Sequence, residues 1–103
     1  PLADEIRGMF PLTATLGRYG GREYYGSMPR RPTNTKEGQL RFENGDITYC
    51  PSNNTIAIFY AKADDPDMGQ LTMRIIPIGK VTSDLMVFDE MDSRLEFTFD
   101  NVQ

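Results

Sequence analysis

The sequence predicts a mainly β fold, a closed or partly open β-barrel carrying one or two short helices. Three observations lead there. Apolar and polar residues alternate from Leu12 to Leu16 and again from Leu95 to Phe99, the period of a strand with one buried face. The run Ile56-Ala57-Ile58-Phe59-Tyr60 is apolar at every position, which suits a strand buried on both sides. Glycine- and asparagine-bearing turn signals break the chain between such runs.

Taken in order, Leu2, Ile6, Met9 and Phe10 recur at helical spacing, with Asp4 and Glu5 where a helix dipole favours anions. Pro11 ends that short helix. Leu12, Ala14 and Leu16 form the buried face of the first strand, opposite Thr13 and Thr15. Gly20-Gly21 fits a hairpin turn, because both residues accept positive φ without steric cost. The returning strand, Arg22 to Gly26, places Tyr24 and Tyr25 on opposite faces. Ser27 to Gly38, with Pro29 and Pro32, reads as an irregular connection. Glu43-Asn44-Gly45-Asp46 is a turn before the strand Ile47–Cys50, and Pro51-Ser52-Asn53-Asn54 is a turn before Thr55–Ala61. Lys62 to Gln70 is a loop. Leu71 to Val81 reads as a strand that Pro77 confines to an edge or a bulge. Ser83-Asp84 caps a helical turn containing Leu85, Val87, Phe88 and Met91. Leu95, Phe97 and Phe99 then line one face of the last strand.

The chain has 103 residues, 39% hydrophobic and 25% charged, so residues 1–103 are expected to form a single domain. No apolar run reaches the roughly 20 residues of a membrane-spanning helix. Histidine and tryptophan are absent, which removes Ser-His and Cys-His nucleophile pairs and His-ligated zinc. Eleven Lys and Arg face fifteen Asp and Glu, for a net charge of −4. Basic residues concentrate between Gly17 and Phe42, as Arg18, Arg22, Arg30, Arg31, Lys36 and Arg41. Overall acidity argues against a nucleic-acid partner, although Tyr19, Tyr24 and Tyr25 interleave with Arg18 and Arg22 as a stacking surface would. Asp64-Asp65-Pro66-Asp67 is rich in oxygens but lacks the ligand spacing, central glycine and distant glutamate of a dedicated Ca²⁺ loop. The pairs Glu90/Asp92 and Glu43/Asp46 have no sequence feature that places them across a cleft. Met68, Met73 and Met86 could line an adaptable pocket or fill core gaps. Cys50, the lone cysteine, reads as a small buried hydrophobe, and one cysteine does not reveal the compartment. A cytoplasmic location is carried as the expectation. Neither a metal nor a cofactor is expected.

The stretch from Gly45-Asp46-Ile47 through Tyr49-Cys50-Pro51, followed by Ile56-Ala57-Ile58-Phe59-Tyr60, resembles the bacterial cyclophilin-like domain family. Pro77-Ile78-Gly79-Lys80-Val81 and Leu95-Glu96-Phe97-Thr98-Phe99 match as well. So do Ile6 with Phe10-Pro11-Leu12-Thr13-Ala14-Thr15-Leu16, and Tyr24-Tyr25-Gly26 with Met28-Pro29. The resemblance covers nearly the whole chain. It implies an eight-stranded cyclophilin-type barrel with a helix at one end. Family members usually carry a β-hairpin before the first helix, and this chain begins at the helix. The expectation is therefore that a partner strand, or residues outside this sequence, fills the edge left open, with a homodimer through that edge as one outcome. The resemblance does not carry over the cyclophilin reaction, because the His and Trp of the proline-binding groove have no counterparts here.

Together these readings predict a non-catalytic domain that binds a peptide or small molecule. Arg41, Phe42, Tyr49, Phe59, Tyr60 and Arg74 are the expected contact residues. The alternatives are a weak peptidyl-prolyl isomerase, in which Arg41 beside Phe42 or Arg74 beside Met73 would weaken amide resonance with Tyr60 or Phe59 lining an apolar cup, and a structural self-association module.

Overall fold

The computed structural model describes residues 2–33 and 38–100. Residues 34–37, part of the connection expected to be irregular and including Lys36 of the basic stretch, lie outside the described residues. A helix, α1 (Leu2–Arg7), is followed by β1 (Leu12–Tyr19), β2 (Glu23–Ser27), β3 (Asp46–Cys50), β4 (Thr55–Phe59), β5 (Ile76–Lys80), a 3-10 helix (Leu85–Glu90) and β6 (Arg94–Phe99). The strands form one six-stranded sheet in the order β5-β3-β4-β2-β1-β6, every neighbouring pair antiparallel.

The sheet is not closed. Among the described residues it has six strands rather than the eight that the family resemblance implied, and β5 and β6 are its edges. It curls nonetheless: Ile78 of β5 and Phe99 of β6 line one cleft of about 520 Å³ together with Ile6 and Phe10. The two edges thus face each other across α1, whose Leu2 and Ile6 are buried in the core.

Local chemistry explains most of the elements. The β1–β2 hairpin turns on Gly20 and Gly21, at φ 56° and 67°, and the Arg22 N–H closes it on the Tyr19 carbonyl at 2.9 Å. Gly26 lets β2 press against β1, because a Cβ there would lie 2.1 Å from the Thr15 carbonyl oxygen. The strand expected over Leu71–Val81 is shorter, running only from Ile76 to Lys80. Leu71 packs against apolar side chains on the outer face instead, and Ile75 joins the chain only through a bridge to Gln39. Pro77 sits on an edge strand, and the β3–β5 register shifts beside its partner Thr48, as a residue lacking an N–H requires. The Asp84 carboxylate caps the 3-10 helix by accepting the Met86 N–H at 3.0 Å.

Two apolar clusters lie on opposite faces of the sheet. The inner one gathers Leu12, Ala14, Leu16, Tyr24, Tyr49, Ile56, Ile58, Tyr60 and Ile76 under α1 and Phe88. The outer one is smaller and holds Phe42, Cys50, Ala57, Phe59 and Ile75. β4 serves both, which is why its sequence is apolar throughout. At one end of the inner core Phe88 stacks on Tyr60, with ring centroids 5.4 Å apart. There the Arg18 guanidinium donates to the Tyr24 hydroxyl and to the carbonyls of Phe88 and Met91. Phe97 and Phe99, on the edge strand, are half-buried.

Candidate functional site

The alternation that buries Tyr24 turns Glu23 and Tyr25 to the outer face, where they meet the outward residues of β3 and β4. Cross-strand pairing sets the order: Tyr25 lies opposite Ala57, Thr48 lies opposite Ala57 on the other side, and Glu23 lies opposite Phe59. Ala57 is thus a small residue between two larger ones. Its missing volume makes a depression, walled by Leu71, Met73 and Ile75 from the segment that left the sheet. The resulting cleft measures about 300 Å³. At its mouth Tyr19 and Tyr25 are 51% and 44% exposed and meet edge to face, with centroids 6.3 Å apart.

Two polar groups inside the cleft stand out physically. The Glu23 carboxylate is buried, and Arg22 reaches a single oxygen of it, Oε1, through Nε at 2.7 Å and through Nη2. Arg22 Nη1 donates to the carbonyls of Met68 and Gln70 at 3.0 and 3.1 Å, and the guanidinium lies over the rings of Tyr19, Phe59 and Phe42 at 5.1 to 5.7 Å. Every guanidinium nitrogen is therefore engaged. Burial pushes the Glu23 carboxyl above the usual carboxylate range, against the opposing pull of the Arg22 charge and hydrogen bonds. The second group is Thr48, fully buried, whose Oγ1 has no hydrogen-bond partner among the described residues. Leaving such a hydroxyl unpaired costs about 1–3 kcal/mol.

The residues expected from sequence to form a site divide among three places. Phe59 lines the cleft, and Phe42 stacks on it with centroids 4.2 Å apart. Phe42 and Arg41 border a separate polar groove of about 700 Å³ beside the Asp64–Asp65 loop. Arg74 is exposed, and its Nη1 donates to the Gly38 carbonyl at 3.2 Å. Tyr49 and Tyr60 lie in the inner core, where burial pushes both phenols above their ordinary range. The six do not converge. Glu23, Thr48 and Ala57 were missed, and the available signal was the strand alternation combined with the pairing of β2 and β3 on either side of β4.

Other sequence motifs resolve similarly. Tyr24 and Arg18 point into the core, and Arg22 is held by Glu23, so of that stacking pattern Tyr19 and Tyr25 remain on the surface. Asp65 Oδ1 accepts the N–H groups of Asp67 and Met68 in its own loop. Asp46 accepts from the Glu43 N–H and from Lys80 Nζ, both at 2.8 Å. Among the described residues no three His, Cys, Asp or Glu side chains are grouped so as to hold a metal ion. Met73 lines the cleft, whereas Met86 is 74% exposed. No helix among them is long and apolar enough to cross a membrane.

The chain is similar to the solution structure of a hypothetical protein from Archaeoglobus fulgidus, with a TM-score of 0.74 at 16% identity over 98% of this chain and 77% of that one. At that identity the likeness speaks to the fold. Among curated proteins none matches. The profile of the cyclophilin-like family matches residues 1–100, in agreement with the curled antiparallel sheet and its short helices, and the chain belongs to that family.

Proposed function

We propose that this protein is a non-catalytic binding domain whose ligand occupies the outer-face cleft over Ala57. The observation that carries the reading is the cleft itself, about 300 Å³, floored by Ala57 and walled by apolar side chains. The aromatic rim and apolar walls supply contact area, and few polar atoms fix orientation, the usual composition of a small-molecule site.

The test is a fragment screen read by backbone amide shifts, repeated on Ala57→Leu, which fills the depression. Binding should shift the amides of Tyr25, Thr48, Ala57 and Phe59 and should disappear in the variant. Ligands that bind Ala57→Leu undiminished, or that perturb only other faces, would overturn the reading.

Self-association is a second reading, favoured by the unpaired edges of β5 and β6. Sedimentation that stays monomeric up to millimolar concentration removes it. The isomerase alternative, Arg41 beside Phe42 or Arg74 beside Met73 with Tyr60 or Phe59 as the cup, has less support, since Tyr60 lies in the inner core and Arg74 donates to the Gly38 carbonyl. A proline cis/trans exchange rate above background that Arg41→Ala or Arg74→Ala abolishes would reinstate it.

A further inference from the structure

The charged side chains lining the cleft are Arg22 and Glu23. Arg22, its one cationic side chain, has every nitrogen committed: Nε and Nη2 to Glu23, Nη1 to two carbonyls. Four of its five N–H groups are thereby used, and its charge is already shared with Glu23. Glu23 is the one carboxylate among the described lining residues, and both Arg22 contacts fall on the same oxygen. Its second oxygen carries no hydrogen bond among the described residues. One shared cation does not offset the burial of this carboxylate. A second cation placed on the free oxygen would.

The surroundings favour the same sign of charge. One face of Tyr19 already holds the Arg22 guanidinium, and the half-exposed Tyr25 ring at the mouth adds an aromatic surface that suits a cation. The chain's net charge of −4 attracts cations over longer range. Between Glu23 and Thr48 the floor is Ala57 and Phe59, both apolar. The two polar residues sit on strands separated by β4, so their backbones are roughly 10 Å apart across the sheet. At about 300 Å³ the cleft is at the small end of ligand sites.

Building on the cleft-binding reading, we propose that the ligand is a small protonated amine on an apolar or aromatic body. Its ammonium is held by Glu23, and its body lies on Ala57 between Tyr25 and Phe59.

The test is a charge series on one body. Tyramine, 4-ethylphenol and 3-(4-hydroxyphenyl)propionate are titrated against the intact chain by calorimetry or amide shifts. The proposal expects tyramine to bind at least tenfold more tightly than 4-ethylphenol, and the acid most weakly. Glu23→Gln should remove the amine's advantage while leaving 4-ethylphenol unchanged. Should that variant fail to fold, the pH dependence of the wild type decides instead. The tyramine advantage should fade as pH falls and Glu23 takes up a proton, and there is no histidine in the chain and no second lining carboxylate among the described residues to mimic this. Equal affinity for amine and neutral probe, with both lost in Ala57→Leu, leaves the cleft reading standing and overturns the amine. An acid that binds best does the same. Absence of binding by all three overturns both.

Discussion

Three tyrosines buried on the inner face make an internal experiment, because the same oxygen can be deleted from each with different consequences. The Tyr60 hydroxyl is buried without a partner among the described residues, while its ring stacks on Phe88 at 5.4 Å and lies 5.9 Å from Tyr24. A stranded hydroxyl costs about 1–3 kcal/mol. Tyr60→Phe keeps the ring contacts and removes that cost, so it should stabilise the fold by about 1 kcal/mol or more. For a domain of this size that raises Tm by about 4–8 °C per kcal/mol. Tyr24 is the opposite case: its hydroxyl donates to the Asp92 carbonyl at 2.5 Å and accepts from Arg18 at 2.9 Å. Tyr24→Phe leaves the Asp92 carbonyl without its donor, while Arg18 keeps the Phe88 and Met91 carbonyls, and it should cost about 1–3 kcal/mol. Tyr49→Phe, which frees only Asn54 Oδ1, should cost about 1 kcal/mol. Urea unfolding with matched m-values reads all three. A Tyr60→Phe variant that is less stable than wild type by about 0.5 kcal/mol would refute the reasoning, by showing that the hydroxyl is satisfied after all.

Other outcomes follow from the same structure. Gly26→Ala should destabilise by about 1–3 kcal/mol in urea unfolding, since its Cβ meets the Thr15 carbonyl oxygen at 2.1 Å and strand backbone must move. The raised Glu23 pKa means that the folded state holds this proton more tightly than the unfolded state does. Its contribution to stability is fully present below the reference value of 4.5 and is lost as pH rises through the folded value. The stability of Glu23→Gln relative to wild type should therefore climb as pH goes from about 4 to 7, and a flat or falling difference would contradict the assignment. Asp84→Ala should cost about 1 kcal/mol by removing the cap on the Met86 N–H, visible as a lower Tm.

Strands were legible where side-chain alternation was strong. Leu12, Ala14 and Leu16 are buried as their spacing required, Tyr24 and Tyr25 part to opposite faces, and β4 is covered on both sides. Strand adjacency was not legible, because it depends on pairing between segments distant in sequence. The candidate cleft inherits that limit. Thr48 and Ala57 look like any strand residues until β3 and β2 are placed on either side of β4. Leu71 to Arg74 carried a strand-like pattern, but Leu71 found its apolar contact on the outer cluster and the segment left the sheet. Of the aromatic residues expected at a site, Tyr49 and Tyr60 fill the interior that such residues ordinarily fill.

The doubly apolar character of β4 leaves hydrophobicity unable to tell its two sides apart. A slip by one position would exchange Ile56 and Ile58 for Ala57 and Phe59 and still bury only grease. What holds the chain in step is polar latching at the strand's ends. Tyr60 N–H reaches the Arg22 carbonyl at 3.0 Å, Gly45 N–H reaches the Phe59 carbonyl at 2.6 Å, and Asn54 Oδ1 receives the Tyr49 hydroxyl at 2.8 Å. Loosening those latches, rather than shrinking the core, is the route by which this protein would come to populate a second, shifted arrangement of the same strands.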